Sequence, residues 1–240
     1  MSFALESIKV KRTGFMPAFI GGGLLSAAVP VLNMAFRSEM YVGMDASPIS
    51  ILLSANWQMM AMLNILLVVS GACIMYHTEY ADNAIQRMGT LPTKESTMFF
   101  GKAAVLITVS ILLLVIEAVS IFISSVHWFT WSADLSMEII KSFGFFLLLM
   151  IPAVLLSLLT ASLCKNMWIS LGIGVICVFL ATMIPVRNFV LTLFPYALPF
   201  QVLSSYAAKV ACDYAVVSAV EIVVIALLEI MILKFSKLVV

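Results

Sequence analysis

Three carboxylates interrupt long apolar runs in this 240-residue sequence: Glu117, Glu221 and Glu229. A charge at the centre of a bilayer costs about 2.5 kcal/mol or more, so an ionisable residue there is a functional candidate by default. Glu117 falls mid-run within Leu113–Ser120, and its neighbours are apolar. It has to face another helix or a cavity. Glu221 and Glu229 are eight residues apart and share one helix face. Glu229 also lies about one turn from Lys234, where it can pair or snorkel. Such acids can carry a proton or couple an ion, or they can serve packing alone. No basic residue stands at similar depth, which weakens a relay.

A second set of charges crowds one short connection. Glu79, Asp82, Arg87, Lys94 and Glu95 fall within His77–Gly101. Among them Ala81, Ala84, Ile85 and Met88 recur at i, i+3, i+4 and i+7, one apolar stripe on a short helix. Gly89 stops the helix, and Pro92 keeps Leu91 out of the helical region. The spacing predicts an amphipathic helix lying on the membrane. Its charges are either a solvated face or a docking face for a cytoplasmic partner. In the second case the helix transmits motion into the two spans it joins.

Other chemistries lack their residues. His77 and His127 fall at opposite ends of apolar runs, so no shared metal site is expected. Cys73, Cys164, Cys177 and Cys212 form no CxxC pair and read as small packing residues. HExxH, GxSxG and Walker-type GxxxxGK[ST] patterns are absent. The chain is therefore not expected to be an enzyme, and it cannot hydrolyse ATP alone. A net charge of +1, with no basic run interleaved with aromatics, gives no nucleic-acid partner.

Composition dictates what positions these residues. Hydrophobic residues make up 63% and charged residues 10%, with a mean hydropathy of +1.15. A soluble domain carries roughly 25% charged residues, so the solvent for most of this chain is lipid. A helical span needs about 20 apolar residues. Six runs qualify, at 15–36, 51–76, 103–126, 139–163, 168–186 and 214–233, in a single transmembrane domain covering 1–240. The fold class expected is an all-α integral membrane protein. The first run follows Lys9, Lys11 and Arg12. It exceeds the ~7–15 residues of a signal-peptide core, so it reads as a retained span.

Lysine and arginine set the orientation. With the N-terminus inside, nine lie inside and four outside, the four being Arg37, Lys141, Arg187 and Lys209. Both termini are expected in the cytoplasm. Ser47-Pro48 reads as a helix cap followed by a first-turn proline, opening either a short interfacial helix or a tilted span. Trp57 is expected at the outer interface. The connection Arg187–Asp213 is apolar but broken by Pro195 and Pro199. It reads as a re-entrant pair of half-helices, or as a loop on the outer rim. Gly22 with Ser26, and Ser170 with Gly174, form small-xxx-small faces that favour close helix contact.

Three places resemble the membrane subunits of type-2 ABC exporters, and within them the permeases of lantibiotic-immunity transporters. Leu5 to Thr13 looks like the family's short acidic-then-basic helix before the first span. The segment Glu79 to Lys102, with Glu79, Gly89, Thr90, Leu91, Pro92 and Lys102, is similar to its coupling segment. The six-span layout with a proline-broken segment before the last span also matches. The resemblance implies a permease in a bacterial plasma membrane that works with a cytoplasmic ABC ATPase dimer and a second permease, identical or homologous. ATP and magnesium would sit on the ATPase, and no cofactor on this chain. Glu79, Asp82, Ile85, Arg87, Met88, Lys94 and Glu95 would couple to the ATPase. Glu6, Lys9, Lys11 and Arg12 would form the interfacial helix. The substrate implied is an amphipathic antimicrobial peptide expelled from the membrane, along a path lined by spans one, two and five and capped by 187–213. The alternative is a secondary transporter or channel using Glu117 or Glu221 for ion coupling.

Overall fold

The computed structural model describes residues 2–11, 13–81, 95–129, 134–164, 166–184 and 189–238. Every regular element among them is helical: α1 (Ser2–Val10), α2 (Phe15–Val42), α3 (Pro48–Ala81), α4 (Glu95–Trp128), α5 (Leu135–Leu163), α6 (Met167–Met183), α7 (Phe189–Thr192), two 3-10 turns (Leu198–Phe200 and Leu203–Ser205) and α8 (Ala208–Leu238).

Among the described residues five helices are long and apolar enough to cross a membrane: α2, α3, α4, α5 and α8. The helix expected as the fifth span is α6. It has 17 residues, or about 25 Å against a hydrocarbon core of about 30 Å. The long helices overrun the apolar stretches that announced them. α3 runs from Pro48 where apolarity alone marks Ile51, and α4 starts at Glu95 rather than Ala103. Helical hydrogen bonding continues past the hydrocarbon, whereas hydropathy records only the part in contact with lipid.

Local chemistry sets the breaks. Gly14 takes a φ of +73°, which an L side chain rarely adopts, and turns the chain from α1 into α2. The Ser50 N–H donates to Ser47 Oγ at 3.2 Å, so Ser47 caps α3 with Pro48 at its first position. α3 is continuous from there, with no separate interfacial helix. Asn166 Oδ1 accepts from the Trp168 N–H at 2.9 Å and caps α6.

α3 and α5 form the centre, with α2, α4, α6 and α8 around them. The most apolar stretch of α5 is 61% buried and that of α8 only 17%. The outer faces of α4 (Ile111, Val115, Val119, Ile123) and α8 (Val216, Val220, Val223, Leu227) are exposed rows at helical spacing, as a lipid-facing surface requires. Gly174 carries its close-contact face as expected. A Cβ there would overlap the Val69 methyl groups, so only glycine lets α6 lie this close to α3.

Trp57 meets the 189–207 segment from inside the bundle. It is buried, stacked on Phe146 at 3.5 Å with Phe143 edge-on, and its Nε1–H donates to the Pro199 carbonyl at 2.8 Å. The aromatic belt rule applies to residues that face lipid, and this one faces α5. The described part of the outer connection, from Phe189 onward, is one short helix and two 3-10 turns around Pro195 and Pro199. Its Tyr196, Ala197, Leu198 and Pro199 pack inward against α3 and α5.

Candidate functional site

At the end of the bundle where α1 lies, four charges converge. Glu6 and Lys9 are on α1, Glu79 is on the last turn of α3, and Lys102 is two turns into α4. The Lys102 ammonium lies 2.6 Å from Glu79 Oε1 and 3.3 Å from Glu6 Oε2. Lys9 lies 3.0 Å from Glu6 and 3.1 Å from Glu79. Two cations meet two anions, so the clasp is neutral. The Lys102 side chain is 1% exposed, those of Glu6 and Glu79 5% and 7%, and only Lys9 reaches solvent. Lys102 Nζ also sits 5.1 Å from the centroid of the Tyr76 ring. Burial alone would lower the pKa of Lys9. Hydrogen bonds to Glu6 and Glu79, and their charge, outweigh burial and hold it above 10.5.

An apolar isostere of such a clasp is often as stable as the ion pairs themselves. What the charges add is a fixed mutual position. The clasp joins α1 to the two helices that enter and leave residues 82–94.

Deeper in the bundle, the Glu117 carboxylate accepts hydrogen bonds from Ser26 Oγ of α2 and, at 3.0 Å, from Asn64 Nδ2 of α3. Ser120, one turn further along α4, donates to the Ala27 carbonyl. Glu117 is fully buried and joins three helices. Glu229 is also buried, with Ser162 Oγ of α5 at 3.5 Å. Glu221 differs from both: its Oε2 is enclosed and has no hydrogen-bond partner among the described residues.

At the opposite end of the bundle, a groove of about 800 Å³ runs between α2 and α3 and reaches Thr182 of α6. Val29, Asn33 and Arg37 line it from α2, and Asn56, Gln58 and Met62 from α3. Gln58 and Thr182 also line a smaller cavity of about 210 Å³ under Phe200, Gln201 and Tyr206 of the outer segment. The two spaces adjoin. Asn33 Nδ2 donates to Asn56 Oδ1 at 2.7 Å, bracing the groove wall.

The residues matched by the ABC-2 family transporter protein family are 2–181, three quarters of the chain. The chain belongs to that ABC-2 family. It is a membrane transport component, the permease part of an ABC transporter, and the ATPase resides in a separate subunit with which it partners. No curated protein and no solved structure matches the chain. α1 to α5 and nearly all of α6 lie within the match; the outer segment and α8 lie beyond it.

Within this ABC-2 permease, Glu6, Lys9 and Glu79 come together at the clasp, while Lys11 lies exposed in the turn after α1. Asp82, Ile85, Arg87, Met88 and Lys94, with Arg12, lie outside the described residues, and with them most of the expected coupling helix. Glu95 opens α4. Glu117 meets two other helices, as its position required. Sequence reasoning missed Lys102 as a site residue, although a lysine directly inside an apolar run at Gly101-Lys102-Ala103 was a visible signal. It also missed the groove. Asn33, Arg37 and Asn56 come from separate spans, and nothing in their spacing brings them together.

Proposed function

We propose that the chain is the permease of an ATP-driven exporter that expels an amphipathic antimicrobial peptide, lantibiotic-like, from a bacterial plasma membrane as immunity or resistance. A cytoplasmic ATPase dimer closes on ATP and magnesium, which it alone holds. Asp82, Ile85, Arg87, Met88, Lys94 and Glu95 present the coupling surface to it. The observation that carries this reading is the buried clasp beside that surface. Glu79 and Lys102 bracket residues 82–94, and both are tied to α1. Movement of the bracketed segment therefore reaches α1, α3 and α4 together. α6 serves as a sixth crossing, so both termini stay cytoplasmic. The outer connection 187–213 dips back as a re-entrant cap over the path between spans one, two and five. A second permease, identical or homologous, completes the transporter.

A second reading draws on the unpartnered Glu221 Oε2. It makes the chain an ion-coupled transporter or channel. One experiment separates the two. The tagged chain is purified from its native membranes in mild detergent, as parent and as Asp82→Lys with Arg87→Glu. The exporter reading expects a nucleotide-hydrolysing subunit with the parent and its loss in the variant. Parent preparations free of any ATPase would refute it.

A further inference from the structure

We propose that the outer groove between α2 and α3 binds one anionic phospholipid from the outer half of the bilayer, phosphate at Arg37 and acyl chain towards Val29 and Met62. This stands on the groove and the membrane placement alone, and does not need the exporter reading.

Three observations carry it. The first is charge. Of the described residues that line the groove, Arg37 is the only charged one. Arg37 is exposed, and among the described residues no carboxylate lies within ion-pair distance of it. A guanidinium offers a planar fork of donors that suits phosphate oxygens.

The second is polarity along the groove. α2 ends at Val42 and α3 begins at Pro48, and the proposed topology puts the connection between them outside. Arg37 and Asn56 therefore mark the outer end, and Val29 and Met62 the deeper end. Eight residues of helix separate Val29 from Arg37, about 12 Å. Polar groups outward and apolar walls inward match the polarity of an outer-leaflet lipid. They do not match a molecule that is polar throughout.

The third is shape. Helical φ and ψ break at Arg37 (φ −137°, ψ 25°), so the last turn of α2 changes direction at the groove mouth. Asn33 and Asn56 hold each other at 2.7 Å, which fixes the α2–α3 spacing beneath Arg37. A volume of about 800 Å³ lies within the roughly 300–1,000 Å³ of ordinary ligand sites.

The test is native mass spectrometry of the full chain released from vesicles of equal parts phosphatidylglycerol and phosphatidylcholine. The parent retains one phosphatidylglycerol in preference to phosphatidylcholine. Arg37→Gln lowers that preference about tenfold, the loss of one charge-assisted contact. Lys209→Gln, a change at another exposed outer cation, leaves it intact. Met62→Trp fills the deep end and removes the lipid while keeping Arg37, which guards against an Arg37 variant that fails to fold. Equal retention of the two lipids by the parent overturns the proposal. So does an undiminished preference in Arg37→Gln, or an equal loss in Lys209→Gln. Retention of a cationic amphipathic peptide that strengthens in Arg37→Gln overturns it as well.

Discussion

The Lys102 ammonium sits 2.6 Å from Glu79 Oε1, across the two helices that flank residues 82–94, and both side chains are shielded from solvent. The pair is the centre of the inner clasp. Removing one partner strands a charge in a poorly solvated site. Lys102→Met should therefore destabilise the protein by about 3–5 kcal/mol, the range for a broken buried ion pair. The double variant Glu79→Gln with Lys102→Met removes both charges and should recover most of that loss. Thermal unfolding of the detergent-solubilised protein, read as a double-mutant cycle, checks the non-additivity.

The contribution of Lys9 to the clasp should be indifferent to pH from neutrality to about pH 10. The pKa of Lys9 is raised in the folded protein, mainly because its bonds to Glu6 and Glu79 outweigh burial. A raised folded pKa means that the contribution is complete below the unfolded value of 10.5 and fades only as pH climbs through the folded value. Stability of the parent relative to Lys9→Met should stay flat from neutral pH upward and converge only above about pH 10.5. A difference that fades between neutral pH and about pH 10 would contradict the assignment.

Glu117 joins α2, α3 and α4 through Ser26 and Asn64. Glu117→Leu leaves both partners buried and unsatisfied, at about 1–3 kcal/mol for each lost bond. Glu117→Gln keeps the volume and one acceptor and should cost less. Under the exporter reading Glu117→Gln retains ATP-driven transport. Transport lost in Glu117→Gln, in a protein of parental stability, would mark the carboxylate as an ion-coupling group.

Trp57 anchors the outer segment through the Pro199 carbonyl. Trp57→Phe keeps an aromatic ring on Phe146 but loses the hydrogen bond, so the expected cost is about 1 kcal/mol. Limited proteolysis from the outer face should cut the connection after α6 faster in Trp57→Phe. An unchanged cutting rate would show that the bond does not hold the segment.

The spans were legible because lipid contact demands apolar runs, and α4 with its exposed Ile111, Val115, Val119 and Ile123 is the plainest case. Glu117 was legible as an exception within such a run. The clasp was half legible. Glu6, Lys9 and Glu79 stood out as charges beside spans, but their pairing depends on how α1 lies against α3 and α4, a tertiary relationship that periodicity does not encode. Lys102 looked like one more loop cation and is instead the most buried member. The burial of Trp57 was not legible, because hydropathy does not say which face of a helix meets lipid and which meets α5. Residues 168–186 read as a span because the apolar run is that long, and the helix described there, Met167–Met183, has 17 residues.

The central claim is that ATPase motion reaches the spans through the clasp. The parent, with the ATPase that co-purifies, is reconstituted into vesicles beside Glu79→Gln with Lys102→Met, and ATP-dependent release of a fluorescent cationic amphipathic peptide is followed. The prediction is release by the parent only with ATP and magnesium, and a variant that still hydrolyses ATP but has lost most of its release. Release at the parental rate by the variant, or release by the parent on a proton gradient without ATP, would contradict the account.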